Sequence, residues 1–111
     1  MDFRAITKNV RISPKKARLA AGLIRGLFVD EAFSQLRFSK LKGARHLYKT
    51  LKSAVANAKQ KLGQEIDTLR LKEVRVDEGM TMKRIRSKNR GGRTTMLRRT
   101  SHFMVIVKPK E

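Results

Sequence analysis

The chain has 111 residues, with 28 Lys or Arg against 9 Asp or Glu, a formal charge of +19. That length fits one domain, and a monomer with so much like charge repels itself, so the composition calls for a polyanionic partner, nucleic acid first, and argues against a free small-molecule enzyme. With no cysteine, disulfides, thiol nucleophiles and Cys-based zinc sites are excluded, and no stretch reaches the roughly twenty apolar residues of a membrane span.

The first segment, Phe3 to Ile12, has Phe3, Ala5, Val10 and Ile12 as its apolar positions and reads as a short, irregular strand. Met1-Asp2-Phe3-Arg4 lacks the pattern of a signal peptide, which favours a cytosolic protein. Ser13-Pro14 predicts a helix start, because Ser can accept from free amides and Pro fits the first helical position. Ala17, Ala20, Ala21, Ile24, Leu27 and Phe28 form its apolar stripe, and Gly26 is expected to end it. Asp30 is read as the cap of a second helix with Ala32, Phe33 and Leu36 inward. A break over residues 39–43 precedes the longest helix, residues 41–62, whose stripe is Leu41, Ala44, Leu47, Tyr48, Leu51, Val55, Ala58 and Leu62. Gly63 stands where a left-handed terminating residue is expected. The period then changes: Leu69, Leu71, Val74 and Val76 alternate as in a strand, with a slip at Lys72-Glu73 that predicts a bulge. The fold class expected is α+β, three helices packed on a small antiparallel sheet.

Charge is unevenly spread. Residues 65–79 hold three basic and five acidic side chains, whereas 83–99 hold eight basic and none acidic. A basic block can be a disordered tail, but here Phe103-Met104-Val105-Ile106-Val107 returns as a strand. Gly91-Gly92 near the middle of the block suits a two-residue hairpin turn. That turn would set Arg90 opposite Arg93, Arg84 opposite Arg99, Met80 opposite Phe103 and Val76 opposite Val107. One face would then run from Val74, Val76, Met80, Phe103, Val105 and Val107 at the base to Arg84, Arg86, Lys88, Arg90, Arg93 and Arg99 along the arm, with Lys83 and Arg98 on the opposite face. The division expected is a single domain, 1–111, with a globular part over 1–79 and 102–111 and a protruding hairpin over 80–101. An arm of roughly 35 Å cannot pack on so small a body, and directly opposed cations should leave it ordered only against phosphate.

No phosphate loop, dinucleotide fingerprint, zinc-protease motif or serine-hydrolase elbow is present, so neither an enzyme nor a cofactor is expected. His46 and His102 read as structural or RNA-facing, and Asp77-Glu78-Gly79 as a strand end paired to nearby cations.

Six segments occur in order: Ser13-Pro14-Lys15-Lys16-Ala17-Arg18, Leu23-Ile24-Arg25-Gly26, Ser53-Ala54-Val55-Ala56-Asn57-Ala58, Val76-Asp77-Glu78-Gly79, Met82-Lys83-Arg84-Ile85 and Arg99-Thr100-Ser101-His102. Together they resemble the bacterial large-subunit ribosomal protein L twenty-two family, from about residue 4 to 107. The resemblance implies a body on the surface of the large subunit and a hairpin running inward through several rRNA domains, assisting their assembly. It also implies that the arm lines part of the polypeptide exit tunnel and influences the response to macrolides. The RNA-binding set expected is Arg11, Lys15, Lys16, Arg18, Arg25, Lys83, Arg84, Arg86, Lys88, Arg90, Arg93, Arg98 and Arg99. The tunnel wall expected is Met82, Lys83, Arg84, Lys88, Asn89, Arg90, Gly91, Gly92 and Arg93. The partners implied are large-subunit rRNA, neighbouring ribosomal proteins and the nascent polypeptide, in the cytoplasm, with no membrane and no homo-oligomer. The alternative is a nucleoid-type DNA-binding protein with basic β-arms. Such arms usually carry an apolar wedge near the tip, and Gly91-Gly92 offers none.

Overall fold

A computed structural model describes residues 2–62, 69–87 and 93–109. The elements in chain order are β1 (Phe3–Val10), α1 (Pro14–Ile24), α2 (Val29–Phe38), α3 (Lys42–Leu62), β2 (Leu69–Glu78), β3 (Met82–Ser87), β4 (Arg93–Arg98) and β5 (Ser101–Pro109). The body is a three-stranded antiparallel sheet in the order β1-β5-β2, and β3 with β4 forms a separate two-stranded ribbon. Helix α3 packs on β1 and β5, α1 packs on β2, and α2 leans on both helices. Phe103, Val105 and Val107 of the central strand are buried under them, with Val74 and Val76 beside.

Local chemistry explains most boundaries. The Ser13 side chain accepts from the Lys16 amide, and Pro14 opens α1. Gly26 ends the following turn at φ +79°, a left-handed conformation that side chains disfavour. Two expectations fail here. Asp30 does not cap α2: Phe28 holds that position with no side-chain capping hydrogen bond, and Asp30 sits in the first helical turn with Glu31, where the helix dipole favours acids. Leu41 is not core but 38% exposed, because α3 begins one residue later; Ala54 and Thr50 are buried instead. Gly63 and the side chain of Leu62 lie outside the described residues.

The bulge predicted at Lys72-Glu73 is present as a register shift between Leu71 and Glu73. The hairpin register is not the one expected. Val76 pairs with Phe103 rather than Val107, and in the ribbon Met82 pairs with Arg98, Arg84 with Met96 and Ser87 with Arg93. Partner numbers in the ribbon therefore sum to 180 instead of 183. Met80, expected in the core face, is 64% exposed, since β2 ends at Glu78 and the chain leaves the sheet there. Lys88, Asn89, Arg90, Gly91 and Gly92, where the turn and tip were expected, lie outside the described residues.

The register changes the electrostatics of the arm. None of the six described pairs sets one cation opposite another: Lys83 faces Leu97, Arg86 faces Thr94 and Arg98 faces Met82. The expectation of opposed guanidinium groups, Arg84 against Arg99 among them, is thus overturned. The faces change as well: Arg98, expected with Lys83, falls in the alternation class of Arg84 and Arg86, and Arg93, expected with those two, falls in that of Lys83. Staggering lowers the repulsion that direct opposition would impose. The molecule measures 64 × 24 × 16 Å with a radius of gyration of 17.0 Å. A compact chain of this length would have about 13 Å, so the arm projects.

The arm's root is clamped by hydrogen bonds. The Gly79 amide donates to the Thr100 carbonyl at 2.9 Å, and the Thr100 hydroxyl donates to the Met80 carbonyl. The fully buried Ser101 hydroxyl donates to the Ile12 carbonyl at 2.7 Å, tying β5 to the end of the β1 segment. Replacing Ser101 with Ala is expected to destabilise the protein by about 1–3 kcal/mol, by leaving a buried carbonyl without its donor. A urea midpoint equal to that of the parent chain would show that the bond contributes nothing.

Candidate RNA interface

Where the arm meets the body, five cations surround a crevice of about 520 Å³. Arg11 comes from the β1–α1 connection, Lys16 from the first turn of α1, Lys42 from the start of α3, Arg98 from the end of β4 and Arg99 from the residue just after it. Ile12, Ser13, Met82 and Leu97 complete the lining, and among the described residues no acid takes part. Four segments distant in sequence thus converge on one concave, cationic surface. Its chemistry suits phosphate: Arg offers planar paired donors, and Lys a mobile point charge.

Three acids are paired away from the crevice. Glu73 and Asp77 alternate with the buried Val74 and Val76, so they lie on the sheet face away from the helices. Arg75 between them bonds Asp77 at 3.1 Å and approaches Glu73 at 3.9 Å. Asp2 pairs with Lys72, whose hydrogen bond holds the Asp2 carboxyl below its ordinary range, while Asp2 raises Lys72 in return. These exposed pairs add little stability, but they leave the crevice to the cations.

The residues expected to bind RNA fall into separate groups. Arg11, Lys16, Arg98 and Arg99 line the crevice. Lys15 is exposed on α1 outside it, and Lys83 is exposed on β3. Arg18 and Arg25 work within the fold: their Nη2 atoms donate to the carbonyls of Val76 and Val74, each at 3.3 Å. They tie α1 to β2, which stands at the edge of the sheet and needs its outer carbonyls covered. Arg84, Arg86 and Arg93 are placed on the ribbon by backbone register alone. Lys88, Asn89, Arg90, Gly91 and Gly92 lie outside the described residues. Of the expected tunnel residues, Met82 lines the crevice. Lys42 was missed, because its stretch reads as a helix break. No local pattern signalled it, because α3 meets the arm only in the tertiary structure.

The two histidines differ. His102 Nδ1 accepts from the Asn9 amide at 3.1 Å, where Asn9 takes φ 56° at the β1 bulge. This bond requires an unprotonated Nδ1. His46 lies against Phe103 with ring centroids 6.3 Å apart, and burial pushes its pKa down, with Lys42, Lys49 and Arg45 adding repulsion. Since the unfolded state takes up this proton first, the body should lose stability as pH falls below about 6.5, levelling off beneath the lowered folded value. Urea midpoints at neutral and mildly acidic pH should show this, and His46→Gln should remove part of the difference. An unchanged difference would acquit His46.

Among the described residues no helix is long and apolar enough to cross a membrane. Residues 5–108 match the sequence profile described as ribosomal protein L22p/L17e. The large ribosomal subunit protein uL22 of Protochlamydia amoebophila is 62% identical over 104 residues, covering 94% of each chain. The proteins of the same name from Chlamydia pneumoniae and Chlamydia abortus are each 53% identical over 109 residues, covering 98% of each chain. Motif order, the α+β body with its ribbon, and near full-length identity agree: this chain belongs to the ribosomal protein L22p/L17e family.

Proposed function

We infer that the protein is a structural constituent of the large ribosomal subunit in the cytoplasm, without catalysis, and that it works by holding rRNA segments together. The cationic crevice at the root of the arm carries this reading. Converging RNA strands repel one another, and a concave cluster of Arg11, Lys16, Lys42, Arg98 and Arg99 lowers that repulsion where body and ribbon meet. The ribbon extends the same chemistry outward with staggered cations, reaching RNA that the body cannot touch. On this reading Met82, Lys83, Arg84, Arg93 and the segment 88–92 border the exit tunnel and meet the nascent chain, while the body also abuts neighbouring ribosomal proteins. Body and arm act as parts of one RNA-binding domain.

Sucrose-gradient fractionation of cells in high salt tests the assignment. Co-migration with the large subunit is expected, and migration with free nucleoid DNA would overturn it. Deleting Met82-Lys83-Arg84 should leave the body folded and alter the response to macrolides. An unfolded body after that deletion would contradict the separate roles of body and arm.

A further inference from the structure

A second cationic groove, about 690 Å³, lies between the end of α2 and the start of α3. Lys40, Lys42, Arg45 and Lys49 are exposed around it, the half-buried Tyr48 and the exposed Leu41 contribute apolar surface, and among the described residues no acid lines it. Two observations set it apart. Lys42 also lines the crevice at the arm's root, so the two surfaces form one continuous cationic track. Beside the groove, between lining residues Arg37 and Ser39, Phe38 is 80% exposed. Its ring has no place in the core and lies 5.8 Å from the Arg37 guanidinium. An exposed aromatic beside clustered cations is what an unpaired nucleotide needs: a face for its base, and donors for the flanking phosphates.

We propose that the α2–α3 groove binds an unpaired RNA nucleotide, its base stacked on Phe38 and its flanking phosphates held by Lys40, Lys42, Arg45 and Lys49. This deepens the rRNA-binding reading and rests on it. The occupant is RNA rather than an apolar protein segment because every charged residue described in the lining is a cation and Lys42 is shared with the cationic crevice. The track gives the body its own hold on RNA, separate from the arm.

The test uses the full chain on purified large-subunit rRNA, with affinity measured across potassium chloride concentrations and base accessibility mapped chemically. Phe38→Ala, which removes an exposed ring and spares the core, should weaken binding by about fivefold or more with the salt slope unchanged. It should also uncover one unpaired base, and Phe38→Trp should protect that base again. Arg45→Gln with Lys49→Gln should lower the log–log salt slope by about 1.4, two single-strand phosphates' worth. Arg11→Gln with Arg98→Gln and Arg99→Gln serves as the control. If only the control weakens binding, the groove proposal is overturned and the rRNA reading stands. If neither set weakens it, the rRNA reading itself fails. If Phe38→Ala loosens the protein in the assembled subunit but not on bare rRNA, the occupant is a protein and the RNA assignment is wrong.

Discussion

Neutralising Arg11, Arg98 and Arg99 together to Gln is expected to weaken rRNA binding about a thousandfold, taking about 1.5 kcal/mol for each charge-assisted hydrogen bond lost. The three line one crevice from two sides, from the β1–α1 connection and from the end of β4, so their loss empties most of its charge. The slope of log affinity against log salt should fall by about 2–3, since each phosphate contact contributes about 0.7–0.9. All three side chains are exposed, so the melting temperature of the free protein should barely move. Binding at a series of salt concentrations, together with a thermal melt, separates the two effects. A parallel shift in affinity at constant slope would mean that these arginines contact something other than phosphate.

Gly79→Ala should be the most damaging small substitution at the arm's root. A Cβ there would stand 2.5 Å from the Thr100 hydroxyl oxygen, 3.0 Å from His102 Cε1 and 3.3 Å from the Thr100 carbonyl carbon. Thr100 cannot easily retreat, because it is buried and its hydroxyl holds the Met80 carbonyl. His102 is fixed in turn by the Asn9 amide. Forcing one methyl into this clamp costs about 1–3 kcal/mol, with about 1 kcal/mol more if the Thr100 bond breaks. At about 4–8 °C per kcal/mol for a domain somewhat smaller than this one, the melting temperature should fall by about 10 °C or more. The same change should re-aim the ribbon, so assembly into the large subunit should suffer beyond the loss of stability. A variant that melts and assembles like the parent would show that the clamp has slack.

These two predictions draw on different kinds of information. The cationic block and the return strand that makes it a hairpin are visible in sequence. The Gly79 clamp is visible only as a motif, Val76-Asp77-Glu78-Gly79, whose reason lies in Thr100 and His102, some twenty residues away. The ribbon register was misjudged because the glycine pair was given a turn of two residues. A three-place shift in partner sum moved cations off one another and exchanged Arg93 and Arg98 between the two faces. Arg18 and Arg25 were assigned to RNA for their charge, yet part of their hydrogen-bonding capacity goes to the edge of β2. Charge is a local property of a residue, whereas its partner is not.

What the sequence determined alone was what short-range rules govern: the Ser13-Pro14 start of α1, the stripe of α3, the bulge at Lys72-Glu73 and the excess of cations that demands a polyanion. Helical period, capping and net charge each depend on residues a few positions apart. Only the tertiary structure decided which cations share a concave surface, which are engaged inside the fold, and that Lys42 joins two grooves into one track. Those facts depend on strand register and on helices meeting across dozens of residues, distances over which no local pattern fixes the outcome.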